Sequence, residues 1–193
     1  MCFSFEVSIA TFLISWSISL YLLKRGVSIV NKKEVIFLMI FSSIQLTDAI
    51  LWYNKMKRND INYIVTSFLI PLLLSFQLIY KVFFINYSEY IKIIDDKLLK
   101  IFIFLLICYL FYRFNGYSKS LCNNKLSSPI WGSNEIKFWE LILFAFLLWY
   151  PNYSMFIATL ILLFAIKIII GGAYGTLWCA IANLLAFYYL YNF

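Results

Sequence analysis

The stretch VIFLMIFSSIQLTDAILWY, residues 35–53, decides how this chain is read. It is apolar almost throughout and close to the roughly 20 residues that a helix needs to cross a bilayer. Yet it carries an ionisable residue, Asp48, near its end. Ser42, Gln45, Asp48 and Trp52 are spaced by three, three and four residues, so a helix puts them on one face. An acid, an amide and an indole N–H on one face are poorly matched to lipid tails. That face is expected to meet other helices or a wet cavity.

Six more apolar stretches accompany it: Phe3–Leu23, Ile61–Ile85, Leu98–Phe114, Phe138–Tyr150, Tyr153–Ile170 and Tyr174–Tyr191. The fifth in chain order, Phe138–Tyr150, is short and is expected to continue into its flanks. The chain is 64% hydrophobic and 13% charged. A soluble domain is about 45–50% apolar and about 25% charged. The expected architecture is therefore all-α: a polytopic integral membrane protein, one domain over residues 1–193, folded as a compact bundle of seven transmembrane helices. No soluble domain or linker is expected. The first stretch lacks a basic leader and a small-residue cleavage site, so it reads as an uncleaved anchor.

Successive spans alternate in direction. The starts of odd spans and the ends of even spans then share one leaflet. Glu6, Asp48, Glu140 and Lys167 all fall there, and ionisable residues inside spans are functional candidates by default. Lys137 precedes Glu140 by three residues and is expected to pair with it. Lys167 either snorkels to water or neutralises one of the acids. Three acids against one base leave that leaflet negative, which suits a cation or an amine. Trp178 reads as an interfacial aromatic. Thr176, Cys179 and Asn183 follow one side of the last span.

Other polar residues read as packing. Ser4, Ser8, Thr11, Ser15 and Ser19 form a stripe on the first span, the usual means of close helix contact. Pro71 removes a helical hydrogen bond from the third span and is expected to kink it. Residues 115–137, rich in Ser, Asn and Gly, read as a loop whose Trp131 and neighbouring Trp139 sit at the interface.

The net charge of +7 does not imply nucleic acid, because the lysines and arginines lie mainly between spans, where they anchor helices. Lys24, Arg25, Lys32 and Lys33 follow the first span. They predict an N-terminus outside or in a lumen and a C-terminus in the cytosol. Histidine is absent, which removes His-ligated zinc and His-based triads. No nucleophile–base pair is evident, so an enzyme is not expected. Gly171, Gly172 and Gly175 are too sparse for a phosphate loop, and no cofactor or metal is expected. Cys2, Cys108, Cys122 and Cys179 form no CxxC pair. Cys2 and Cys179 fall at the same leaflet, where they could bond or pack; packing is the preferred reading.

Three short motifs carry a resemblance. Met1-Cys2-Phe3-Ser4-Phe5-Glu6-Val7-Ser8 resembles the M-C-F/W-S-x-E-x-S start of a family of small multi-span membrane proteins of unknown function from large DNA viruses and bacteria. Gln45 to Trp52 is similar to its Q-x-x-E-x-x-x-W, with Asp48 in place of Glu. Gly175 to Cys179 is similar to its G-S-x-W-C, with Thr176 in place of Ser. The resemblance implies a viral or bacterial source and the same seven-span plan. Its motifs map to the leaflet that holds Asp48.

The candidate ligand-binding set is Glu6, Gln45, Asp48, Trp52, Glu140, Lys167, Trp178 and Cys179. Two functions stay open. One is binding or transport of a small polar or cationic ligand through a polar pocket near the N-terminal leaflet. The other is a structural or assembly role in the bilayer without a ligand. The oligomeric state is left open.

Overall fold

The structure, a computed structural model, describes residues 4–85, 91–123, 126–132, 136–170 and 175–193. Only the backbone is described for 121–123, 126–128, 166–167, 169–170, 175–178 and 180. The described chain is helical, with one small hairpin. Its helices are α1 (Phe5–Arg25), α2 (Ile29–Ser42), α3 (Ile44–Tyr53), α4 (Asp60–Ile64), α5 (Ile70–Phe84), α6 (Asp96–Arg113), α7 (Phe138–Trp149), α8 (Tyr153–Ile170) and α9 (Gly175–Asn192). Two pairs form continuous rods. The α2–α3 rod covers Ile29–Tyr53, and α4 runs into α5 through a π-helical turn at Val65–Leu69, covering Asp60–Phe84. These two rods and α1 are each long and apolar enough to cross a membrane. Helix α6 holds charges at both ends: Asp96, Lys97 and Lys100 at its start and Arg113 at its finish.

Local sequence explains where the rods start, stop and bend. The Ser4 side chain caps α1 by accepting from the Val7 N–H at 3.3 Å, and Gly26 ends the helix at φ +85°. Between α2 and α3 the Ser42 and Ser43 hydroxyls both donate to the Met39 carbonyl, at 3.3 and 2.7 Å. Such back-bonding competes with the helical ladder, and the rod is interrupted there. The π turn ends just before Pro71, whose missing N–H cannot continue the ladder. The expected break at Pro71 is thus a widened turn.

The distribution of polarity is consistent with membrane association. Large apolar side chains such as Leu13, Leu20, Phe68, Phe76, Phe104 and Ile161 are exposed on the outside of the rods. Polar side chains lie inside: Ser8, Ser15, Ser19, Ser42, Gln45, Asp48, Asn62, Thr66 and Gln77 are buried. A protein folded in water does not expose apolar surface so continuously. The serine stripe packs as expected, with α1 against α2, α3 and α9.

Two expectations change. Phe138–Tyr150 does not extend into its flanks: α7 has 12 residues, about 18 Å at 1.5 Å per residue. A cap at Lys137 and Glu140 starts it and Tyr150, followed by Pro151, ends it, while Leu141, Phe144, Ala145, Leu147, Leu148 and Trp149 are buried. Residues 115–137 are not all loop. Strands β1 (Lys119–Asn123) and β2 (Leu126–Ile130) pair antiparallel, Lys119 opposite Ile130 and Asn123 opposite Leu126.

Candidate functional site

The site forms around α3 at the end of the bundle where the hairpin docks. Gln45 and Asp48 stand three residues apart on α3 and are both fully buried. The indole N–H of Trp131, just after β2, donates to Asp48 Oδ1 at 2.7 Å. Trp131 is therefore a core residue, 2% exposed, and not the interfacial aromatic expected. Gly132 allows this placement: its φ is +83°, and a Cβ there would lie 3.3 Å from the Arg113 carbonyl oxygen. Phe114 packs edge-on to the indole, ring centroids 6.1 Å apart.

Gln45 reaches the last helix. Its Nε2 donates to the Cys179 carbonyl at 3.4 Å, and Asn183 Nδ2 donates to the same oxygen at 3.0 Å. Ser15 Oγ on α1 donates to Asn183 Oδ1 at 3.1 Å. Helices α1, α3 and α9 thus share one polar seam. Among the described residues, Gln45 Oε1 and Asp48 Oδ2 have no hydrogen-bond partner, and both are buried. Two acceptor oxygens on one face of one helix are left for a donor or a cation.

The remaining expected site residues disperse. Glu6 is exposed and stays out of this cluster, because it lies off the serine face by which α1 packs. Trp52 is half-buried one turn beyond Asp48. Glu140 is buried but serves another cluster: Arg113 Nε donates to its Oε1 at 3.0 Å, and the Tyr109 hydroxyl donates to the same oxygen. The expected Lys137–Glu140 ion pair is replaced by a helix cap. The Lys137 backbone N–H donates to Glu140 Oε2 at 2.5 Å, while its side chain is exposed. Cys179 is buried and disulfide-bonded, against the preference for simple packing. Cys2 and the side chain of Cys122 lie outside the described residues. The side chains of Lys167, Thr176 and Trp178 also lie outside them. No cluster of three or more potential metal ligands occurs among the described residues.

A small cleft of about 40 Å³ lies between α5, α6 and α7. Its lining is mainly apolar, with Tyr109, Arg113 and Glu140 supplying polar groups and Trp131 forming one wall. One face of the indole therefore meets the cleft, while its N–H is bound to Asp48.

Two buried polar clusters were not foreseen in the sequence. The first clamps the hairpin to α4 and the π turn. Asn62 Oδ1 accepts from the Ser118 N–H at 2.8 Å, and Asn62 Nδ2 donates to the Ser118 carbonyl at 2.9 Å. Thr66 Oγ1 and Ser118 Oγ lie 2.7 Å apart, and Ser67 Oγ exchanges bonds with the Gly116 N–H and C=O at 3.0 and 3.1 Å. The second lies at the opposite end of the bundle. Lys81 Nζ is 3.1 Å from Glu34 Oε2, and the Tyr189 hydroxyl donates to that oxygen at 3.0 Å. The Lys81 ammonium also sits 4.3 Å from the Phe37 ring centre and 5.1 Å from that of Trp149. Opposite charges at the start of span two and the end of span three share a leaflet by alternation, a signal that could have paired them.

No protein-family profile, no characterised protein and no solved structure matches the chain.

Proposed function

We propose that this chain is a seven-span membrane protein that holds a small cation or protonated amine between Gln45 and Asp48. The observation that carries the reading is the pair of buried acceptors, Gln45 Oε1 and Asp48 Oδ2, lacking partners among the described residues. A buried polar group without a hydrogen bond costs about 1–3 kcal/mol, and more when charged. Evolution removes such a cost easily, since Leu fits a helix face as well as Gln. A ligand with a positive charge or several N–H donors offsets it. Trp131 both bonds Asp48 and lines the α5–α6–α7 cleft, so it lies between this pair and the cleft. In this seven-span plan the three long apolar helices are joined by α6, α8 and α9, each of 18 residues, and by the shorter α7 of 12. The basic flank after α1 supports an N-terminus outside and a C-terminus in the cytosol.

Purified protein titrated with ammonium, methylammonium, sodium and potassium tests the reading. Saturable binding of at least one is expected, weakened at least about tenfold in Asp48→Asn, roughly 1.4 kcal/mol. That variant keeps an acceptor for Trp131 and should stay folded. Absence of saturable binding, or equal binding by Asp48→Asn, would overturn it.

A second reading, a ligand-free structural or assembly protein, is favoured by the Asn62–Thr66–Ser118 clamp. There, buried polar groups hold the hairpin down and satisfy one another. On that reading Asp48 serves only to anchor Trp131, and Asp48→Asn alters stability alone.

A further inference from the structure

We infer that the lysine-lined recess at the end of the bundle opposite the hairpin binds the phosphate headgroup of an anionic lipid. The inference rests on the membrane reading, but not on a ligand at Gln45 and Asp48. The recess has a volume of about 390 Å³ and opens to the surface. It gathers Lys33 from the first turns of α2, the end of α5, the segment before α6, and Tyr150 after α7. Among the described lining residues, Lys33, Lys92 and Lys100 face one acid, Asp96, an excess of two positive charges. Lys92 Nζ is 3.0 Å from Asp96 Oδ1. Lys33 and Lys100 have no carboxylate partner among the described residues, and Lys100 rests over the Phe83 ring at 5.5 Å. The Tyr150 hydroxyl is already committed to the Ile94 backbone, accepting at 2.6 Å and donating at 3.1 Å.

Two further facts select a lipid over a free anion. Phe83 and Phe84, in the wall of the recess, are 62% and 53% exposed. They extend the charged recess onto an apolar outer surface where an acyl chain gains contact and inorganic phosphate gains none. The recess also sits at helix ends, the depth of headgroups. Basic pockets between transmembrane helices at that depth are suited to phosphate headgroups, at about 1 kcal/mol per lysine.

The test uses the full chain in micelles or nanodiscs, with phosphatidylglycerol and phosphatidylcholine as competing probes read by native mass spectrometry. Phosphatidylglycerol should be retained preferentially. Lys33→Gln with Lys100→Gln should weaken its retention about 30-fold and leave phosphatidylcholine unchanged. Lys33→Arg with Lys100→Arg should retain it, and Asp48→Asn should have no effect on it. Lys55→Gln with Lys57→Gln, at the other end, should also have none. The inference is overturned if the Lys33/Lys100 glutamine variant retains phosphatidylglycerol like the parent. It is equally overturned if the Lys55/Lys57 variant loses as much, since general charge attraction then suffices. Displacement by inorganic phosphate as effective as by short-chain phosphatidylglycerol would also overturn it, by assigning the recess to a free anion.

Discussion

Trp131 and Asp48, 83 residues apart in the chain, meet inside the bundle through a 2.7 Å hydrogen bond from indole N–H to carboxylate. This bond ties the segment just after β2 to the buried acid on α3.

Removing the indole donor should therefore destabilise the fold. Trp131→Phe keeps much of the aromatic contact with Phe114 but takes from Asp48 Oδ1 its described donor, leaving it like Oδ2. A loss of about 1–3 kcal/mol is expected, read as a lower melting temperature in detergent. Trp131→Phe combined with Asp48→Leu should recover part of it, because the unpartnered carboxylate is gone. Strict additivity of the two single effects would refute the coupling.

Gly132→Ala should act in the same direction by a different route. The alanine would take φ +83° and crowd the Arg113 carbonyl at 3.3 Å. Residue 131 would then be displaced from Asp48, and tryptophan fluorescence should shift toward the red as indole surface is wetted. An unchanged spectrum and melting temperature would count against this geometry.

The Asn62 clamp should govern access to the hairpin. Asn62→Ala deletes side-chain bonds to the Ser118 N–H and C=O and should cost about 1–3 kcal/mol. Limited proteolysis within residues 115–137 should accelerate, while the helix content by circular dichroism stays constant. Equal cleavage rates would show that the clamp does not hold the hairpin.

Breaking the Glu34–Lys81 pair from one side should be worse than removing both charges. Glu34→Gln removes the carboxylate that faces the buried Lys81 ammonium. Loss of one partner of a buried pair typically costs about 3–5 kcal/mol. Glu34→Gln with Lys81→Met should melt higher than Glu34→Gln alone. The reverse order would mean that Lys81 is supported by Phe37 and Trp149 without Glu34.

Cys179 is disulfide-bonded and Cys108 is free, so Cys2 or Cys122 is the partner. The shared leaflet of Cys2 and Cys179 makes Cys2 the expected one. Peptide mapping without reductant should yield a Cys2–Cys179 linked pair and alkylated Cys108. A Cys122–Cys179 pair would instead tie the hairpin to α9.

The rods were legible because continuous apolar runs are a direct consequence of lipid as solvent. Val35–Tyr53 and Ile61–Ile85 read as spans and appear as rods over nearly the same residues. The burial of Gln45 and Asp48 was legible from their shared face. Their donor was not, because Trp131 lies among Ser, Asn and Gly residues that signal only a loop. Strand pairing of Lys119–Asn123 with Leu126–Ile130 depends on a platform supplied by Asn62 and Ser67, which no local pattern encodes. Glu34 and Lys81 escaped notice for a related reason. Charges near span ends resemble headgroup anchors until helix neighbours are known. Glu6 was misleading because proximity along the membrane normal says nothing about direction around a helix.

The partners of Glu34 arrive at very different times during synthesis. Lys81 follows it by 47 residues and Tyr189 by 155. At about 5–20 residues per second, Lys81 is made roughly 2–9 s after Glu34, and Tyr189 roughly 8–31 s after it. Trp131 reaches completion between them, for Asp48. The bundle's buried charges are thus satisfied on a schedule, the Glu34–Lys81 pair becoming available before Trp131 and before Tyr189 on the last helix. A chain stalled before α9 would hold Glu34 by Lys81 alone among these two donors, without the Tyr189 hydroxyl.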